Sequence, residues 1–367
     1  MATENDLKYM RMALELSVKG IGKVSPNPMV GAVLVKRGKV VGRGYHRASG
    51  SAHAEVNAIK SAGRNARGAT MYVTLEPCCH TGKTGPCTEE IIKAGISKVI
   101  YASKDPNPFV SGKGARYLKR AGLKVSNGLL KSETQLLNDS YFGYFKNNRP
   151  YLIIKAAQTL DGKIATSNGD SKWITSSSAL DYAHRLRSQV DAVIVGSGTL
   201  RKDNPSLTVR RVKGKNPYRI ILSGSLSFST ELNLFSKNYD MKTIIATTSK
   251  KTEKKFSSLK HPPIIWNIKE DRNKRLNLKD LLVKANNFGI KSILVEGGAK
   301  VITSFINKNL VDKLILITAP RLLGNGISTI GNLNKKMMTD AIEFENQSFL
   351  PLGKDIAFIG YPKTRKK

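Results

Sequence analysis

The sequence predicts an α/β protein of two domains, and three observations predict it. Apolar residues alternate between helical and strand spacing along the chain. A length of 367 residues suffices for two separate cores. A polar, proline-containing stretch, "YFKNNRPY" at 144–151, reads as a linker that divides residues 1–146 from 150–367.

In the first half, Leu7, Met10, Leu14 and Val18 fall at helical spacing, which predicts an amphipathic helix over 6–19. The apolar runs "MVGAVLV" and "VVGRGY" flank a Lys-Arg-Gly-Lys turn and predict a β-hairpin. A helix over about 54–62 follows. "TMYVTL", "KVIYAS" and "LKVSNG" read as strands separated by helices near 87–95 and 113–121. Such alternation predicts a largely parallel sheet with helices on both faces. Beyond the linker, "YLIIKAA" and the runs at 191–195, 218–222, 243–248, 292–296 and 313–319 describe a second sheet. "VEGGAKVITSF" reads as strand, Gly-Gly turn and helix, whose free N–H groups and dipole suit a cofactor phosphate.

Charge is the outstanding feature of the composition: 61 Lys and Arg against 27 Asp and Glu, a formal +34. Such a field attracts phosphates, so an anionic partner, from nucleic acid down to a sugar phosphate, has to be weighed. The excess is spread over both halves, 23 basic to 10 acidic up to residue 148 and 38 to 17 after it, with no basic arm to concentrate it. A compositional bias is therefore expected, with no specific nucleic-acid partner. No apolar run reaches the roughly 18 residues of a membrane span, and the N-terminal stretch lacks the core and cleavage site of a secretory signal. A cytoplasmic location and no membrane partner are expected.

All the cysteines, Cys78, Cys79 and Cys87, fall within "TLEPCCHTGKTGPC". Adjacent Cys78 and Cys79 cannot comfortably bridge each other, and any pairing leaves an odd thiol. Clustered reduced cysteines are more often metal ligands or catalytic groups than staples, and spacing alone leaves metal, nucleophile and plain packing open.

"SAHAEVNAI" puts His53 and Glu55 at a helix start, one helix and one strand before Pro77-Cys78. That arrangement resembles the metal site of zinc-dependent deaminases. One imidazole and two thiolates leave a fourth tetrahedral position for water, and Glu55, not itself a ligand, would shuttle the proton to the leaving amine.

In those deaminases two residues usually separate the cysteines; eight lie between Cys78 and Cys87. This spacing, with "SPNPMVGAVLV", "GYH", "HAEVNAI", "VTLEPCCH", "GKTGPC" and "DPNPFVSGKG", resembles the deaminase domain of the bifunctional riboflavin-biosynthesis deaminase/reductase family, from residue 7 to about 140. That family usually has Ser at 79 and Pro at 85, where this chain has Cys79 and Gly85. The resemblance implies zinc on His53, Cys78 and Cys87, with Cys79 turned away. It also implies Asn27, His46, His80 and Lys83 around a phosphoribosyl pyrimidine, Lys83 beside the phosphate.

"KAAQTLDGKIAT", the stretch from "GDSKWITSSS" to "NPSLTVR", and "ILVEGGAKVITSFI" resemble the reductase domain of the same family over roughly 150–325. The implied architecture is a cytidine-deaminase-like three-layer domain followed by a dihydrofolate-reductase-like α/β domain using NADPH. Carried over by position, Lys155 and Glu296 flank the hydride-transfer site, and Glu296, Ser171, Arg187, Leu207 and Arg210 meet the substrate. Ala157, Trp173, Thr199, Asp203 and the turn of Gly298, Ala299, Lys300, Val301, Ile302, Thr303 and Ser304 meet the cofactor. A homo-oligomer, dimer or tetramer, is expected.

The expected function is hydrolytic deamination of 2,5-diamino-6-(5-phosphoribosylamino)pyrimidin-4-one, followed by NADPH-dependent reduction of its ribosyl chain to ribityl. The alternatives are a zinc-dependent deaminase acting on RNA, which needs no reductase half, and a zinc-stabilised nucleic-acid-binding protein, which needs no Glu55.

Overall fold

The computed structural model describes residues 3–82 and 85–363. The chain divides into two compact units between Asn148 and Arg149. The first contains α1 (Glu4–Val18), β1 (Gly31–Lys36), β2 (Lys39–Tyr45), α2 (Ala54–Ala62), β3 (Thr70–Leu75), α3 (Cys87–Lys93), β4 (Lys98–Ser103), α4 (Lys113–Arg120), β5 (Lys124–Asn127), α5 (Lys131–Leu137) and α6 (Asp139–Asn147). A reciprocal cap starts α1: the Asp6 N–H donates to the Thr3 hydroxyl, and the Thr3 N–H donates to the Asp6 carboxylate.

The sheet order is β2-β1-β3-β4-β5. β1 is antiparallel to both β2 and β3, and only β3, β4 and β5 run parallel. The antiparallel β1–β2 hairpin is as expected, and the expectation of a largely parallel sheet is corrected at the antiparallel β1–β3 pair. Arg37 and Gly38, both at positive φ, make the two-residue turn that folds β2 back on β1. α2 then crosses over β1, so β3 lands beside β1 and not beside β2. Side chains alternate across the sheet: Ala32, Leu34, Met71 and Val73 pack against α2, α3 and α4, while Val33, Val35 and Tyr72 pack against Met10 and Ala13 of α1. Strands covered on both faces read as unbroken apolar runs, as "GAVLV" does. α6 continues through Asn147, so the predicted linker shrinks to the residues at 148–150.

The second unit contains β6 (Tyr151–Thr159), β7 (Lys163–Thr166), α7 (Ser177–Gln189), β8 (Ala192–Gly196), α8 (Ser197–Asp203), β9 (Tyr218–Leu222), α9 (Asn233–Ser236), β10 (Thr243–Thr247), α10 (Thr252–Phe256), β11 (Ile264–Asn267), α11 (Leu278–Asn287), β12 (Ser292–Val295), α12 (Ala299–Asn307), β13 (Lys313–Ala319), β14 (Gly326–Ser328), β15 (Phe344–Leu352) and β16 (Asp355–Pro362). Among the described residues its main sheet has the order β11-β10-β9-β8-β12-β6-β13-β16-β15. It is parallel from β11 to β13, with β16 and β15 added antiparallel. One face packs on α11 and α12 through Leu281, Ile302 and Phe305, the other on α7 and α9 through Ala179, Leu186 and Leu234. Phe305 is fully buried, and its truncation to Ala would cost about 3–5 kcal/mol. β7, β11, β14, β15 and β16 carry no clear apolar alternation and escaped prediction; "FENQSFLPL" of β15 holds polar residues and a proline, which an edge strand tolerates. Among the described residues no helix is long and apolar enough to cross a membrane.

Candidate active sites

The first site lies where α2, the end of β3 and the start of α3 converge. α2 approaches β2 closely because β2 carries glycine there: a Cβ on Gly44 would lie 2.3 Å from the Ala54 carbonyl. This contact sets the height of His53, at the N-cap of α2, and of Glu55 in its first turn. Cys78 follows β3, and Cys87 opens α3 with its N–H donating to Cys78 Sγ at 3.4 Å. The two helix N-termini bring positive partial charge to the thiols.

His53 Nδ1 lies 3.2 Å from Cys87 Sγ and 3.5 Å from Cys78 Sγ, and the three donor atoms fall within 4.8 Å of one another. A tetrahedral zinc with ordinary bond lengths separates nitrogen and sulfur donors by about 3.5 Å, so the donor set fits that ion in size and in chemistry. Cys79 is not part of the group. Hydrogen bonding with Cys87 and His53 holds the Cys78 thiol well below its usual range, while the Cys87 thiol is pushed up by the same pairing and by burial. Burial raises the Glu55 carboxyl to about 7, against the His53 cation, which lowers it. Glu55 is 4 % exposed.

A cavity of about 310 Å³ opens beside this group, lined among others by Asn27, His46, Ser49, Glu55, Glu76, His80, Asp105, Asn107 and Tyr141. Asn27, His46 and His80 thus gather around the three donors; Lys83 lies outside the described residues. Burial lowers the His46 pKa, and the neutral ring sits between the Ala52 carbonyl at Nδ1 and the Asn27 amide at Nε2, both at 3.3 Å. Glu76, buried at the end of β3, accepts the N–H groups of Gly112 and Ala115 at 2.9 and 3.0 Å and ties α4 to the strand that leads into Cys78. Gly114 permits this: a Cβ there would fall 2.0 Å from the Pro77 carbonyl. Asp105 belongs to "DPNPFVSGKG", whereas Tyr141, in the aromatic helix α6, lies in no motif and gives no signal in the sequence.

The second site lies at the carboxyl ends of β8 and β12 and midway along the longer β6. Ile154 pairs with Val295, so Lys155 and Glu296 occupy the next positions of adjacent strands. Arg187 of α7 donates from Nη2 to Glu296 at 2.7 Å and from Nε to both its oxygens at 3.1 and 3.2 Å. Its Nη1 reaches the Thr208 carbonyl at 3.4 Å. Arg187, expected on the substrate, is thus engaged with a carboxylate that was expected beside it. Burial lowers the Lys155 pKa, opposed by Glu296, and Glu296 itself is held low by Arg187 and Lys155 despite its burial.

Arg210 donates its backbone N–H to His184 Nδ1 at 3.2 Å, which joins its loop to α7. Leu207 stands at positive φ, and its side chain belongs to the buried core of the second unit. Thr199 of α8 accepts the Gly298 N–H at 3.2 Å and sets α8 beside the Gly-Gly segment. Ala299 to Ser304 are the first turns of α12, as the reading of strand, Gly-Gly turn and helix expects; Ile302 is buried against the sheet, and the Thr303 and Ser304 hydroxyls bond back to the Ala299 and Lys300 carbonyls. Lys300 and Val301 belong to the same helical turns. Ala157 lies on β6 and Asp203 ends α8. Ser171 is half-buried, and Trp173 is 68 % exposed with its carbonyl held by Arg321.

The family model for the cytidine and deoxycytidylate deaminase zinc-binding region matches residues 3–103, and that for the RibD C-terminal domain matches residues 150–358. The chain is 43% identical to the riboflavin biosynthesis protein RibD of Aquifex aeolicus (strain VF5) over 357 residues, covering 97% of this chain and 98% of that one. It is 35% identical to RibD of Escherichia coli (strain K12), covering 96% and 98%. Among solved structures it resembles Acinetobacter baumannii RibD, form 1, with a TM-score of 0.88, 33% identity and coverage of 98% and 99%. It also resembles the diaminohydroxyphosphoribosylaminopyrimidine deaminase/5-amino-6-(5-phosphoribosylamino)uracil reductase of Thermotoga maritima, with a TM-score of 0.83, 35% identity and coverage of 98% and 99%. A zinc-binding deaminase region, a reductase domain and near-complete coverage by these relatives leave the RNA-editing alternative without support. The chain belongs to the RibD family and is a bifunctional riboflavin-biosynthesis enzyme, a deaminase and a reductase in one polypeptide.

Proposed function

We propose that His53, Cys78 and Cys87 hold the zinc of the deaminase and that Glu55 is its proton shuttle. The observation that carries this reading is the burial of Glu55 beside three converging nitrogen and sulfur donors, of which His53 and Cys78 line a cavity together with Glu55. Zinc, when bound, makes water a nucleophile near neutral pH. Glu55 takes a proton from the attacking water and delivers it to the departing 2-amino nitrogen, so that ammonia leaves and a carbonyl replaces the amine. Neutral His46 and Asn27 orient the pyrimidine, and His80 at the cavity mouth meets its phosphoribosyl arm.

In the reductase we assign the nicotinamide cofactor as NADPH, which supplies the hydride that opens the ribosyl ring to a ribityl chain. The Gly297–Gly298 segment and the first N–H groups of α12 suit its pyrophosphate. Lys155 and Glu296 align the sugar carbon, and Arg210 offers a guanidinium to the substrate phosphate. A reducing cytoplasm suits Cys78, Cys79 and Cys87, all free.

We also read the enzyme as a homo-oligomer. β15 is an edge strand exposed on both faces, with Phe349 and Leu350 beside Ile356 of β16, and Glu345 is its one charged residue in a strongly basic chain. A second copy could cover it, and light scattering with Phe349→Lys tests this: the variant should be the smaller species, and equal masses would overturn it.

The test of the whole reading gives purified enzyme the diaminopyrimidine substrate and NADPH, and follows ammonia release and NADPH oxidation separately. Both signals are expected, with NADPH oxidation dependent on prior deamination. Ammonia without NADPH oxidation, or neither signal, would overturn the assignment.

A further inference from the structure

The match to the deaminase zinc-binding region ends at residue 103, but the cavity does not. Asp105, Asn107, Val110 and Tyr141 line it as well. Asp105 and Tyr141 form a pair at this wall, in which the Tyr141 hydroxyl donates to Asp105 Oδ1 at 3.0 Å. The same oxygen accepts the Asn107 N–H at 2.8 Å, so two donors saturate one side of the carboxyl and fix its plane. The backbone is fixed too, since the Asp105 N–H points to Glu76 Oε2 at 3.4 Å. Oδ2 has no hydrogen bond among the described residues, although the residue is only 6 % exposed. Burial raises the Asp105 pKa, opposed by the Asn107 and Tyr141 donors and reinforced by the negative Glu76 and Cys78. A carboxyl locked by two donors at a cavity wall, with its other oxygen open, is arranged to receive an N–H donor from a ligand.

One turn before Tyr141, Asn138 makes a second clamp, on the segment that carries Asn27. Its Oδ1 accepts the Met29 N–H at 2.7 Å and its Nδ2 donates to the Met29 carbonyl at 3.0 Å, two residues from Asn27. The region of α5 and α6 is thus tied to both the Asn27 segment and Asp105.

We propose that Asp105 is a specificity-determining residue of the deaminase, accepting a hydrogen bond from an N–H donor of the diaminopyrimidinone, and that Tyr141 is a positioning residue that holds it. The inference rests on the deaminase reading above and adds a recognition element to it. The substrate is rich in donors, with amino groups at positions 2 and 5 and a glycosylamine N–H, and an acceptor-only carboxylate selects such a ring over one that presents carbonyls there.

The experiment measures ammonia release by wild type, Asp105→Asn, Tyr141→Phe and the double variant, with zinc content, thermal midpoint and NADPH oxidation on the deaminated intermediate recorded for each. In Asp105→Asn, Oδ1 still accepts from Asn107 and Tyr141, but the open position now carries an NH2 donor facing the substrate's donors. KM should rise by roughly 10- to 100-fold with kcat changed far less. Tyr141→Phe should raise KM by roughly 3- to 10-fold. The double variant should be no worse than Asp105→Asn alone, because Tyr141 acts through Asp105. Zinc content and the reductase rate should match wild type. Unchanged KM in Asp105→Asn, a loss confined to kcat, additive effects in the double variant, or a loss that follows zinc or thermal stability would each overturn the proposal. A wild-type enzyme that releases no ammonia would instead sink the deaminase reading and the proposal with it, a result distinct from an active wild type with indifferent variants.

Discussion

Arg187 and Glu296, 109 positions apart, form a two-point ion pair at the carboxyl ends of the reductase strands, with Nη2 2.7 Å from Oε2. The side chains are 14% and 8% exposed, so the pair is shielded from solvent screening. It joins a residue expected on the substrate to one expected at hydride transfer.

Breaking that pair should impair the reductase alone. Arg187→Ala leaves Glu296 with Lys155 as its remaining nearby counter-charge, and removing one partner of such a buried pair costs about 3–5 kcal/mol. Arg187→Lys keeps the charge but loses the fork. NADPH oxidation on the deaminated intermediate should fall in both variants, more in Arg187→Ala, with ammonia release intact. Equal reductase rates in wild type and Arg187→Ala would show that the pair is dispensable.

Glu55→Gln should keep its zinc and release no ammonia, because the amide preserves shape but carries no transferable proton. Given the deaminated intermediate, the variant should oxidise NADPH at the wild-type rate. Deamination near the wild-type rate would remove Glu55 from the chemistry.

Zinc analysis separates the three thiols. Cys79→Ser should retain about one zinc per chain and most of its deaminase activity, whereas Cys78→Ser and Cys87→Ser should lose both, since a missing ligand costs metal affinity and local order together. A metal-free Cys79→Ser alongside a loaded Cys78→Ser would reverse the ligand assignment.

Burial, reinforced by Arg187, Arg210 and Arg211, holds the His184 pKa down at about 4, from an ordinary 6.5. The folded chain keeps this ring neutral while the unfolded chain takes up a proton as pH falls through 6.5. The stability it contributes is therefore present above 6.5 and is lost as pH falls toward 4. His184→Asn, whose carbonyl can still accept the Arg210 N–H, should flatten the decline in thermal midpoint between pH 7 and 4.5. An unchanged slope would show that His184 does not titrate as described.

The sequence by itself determined the order of most helices and strands and the chemical vocabulary of the deaminase, because both are local. Helical spacing reveals α1 within a few residues, and "HAE" followed by "PCC" and a later Cys names donor types without any distance. The hairpin of β1 and β2 was legible from its turn, but the antiparallel pairing of β1 with β3 came from the α2 crossover, which alternation alone cannot distinguish from a parallel arrangement. Only the tertiary structure brought Cys78 and Cys87 to His53 and left Cys79 outside, because the direction of each thiol depends on how β3 ends against two helix starts. It likewise decided that Leu207 and Ile302 point into the core, that Arg187 meets Glu296, and that Tyr141 reaches Asp105. These are relations between residues far apart in the chain, set by strand register and by which face of each helix packs on the sheet. Periodicity shows that a helix has a buried face, but not which distant side chain waits beneath it.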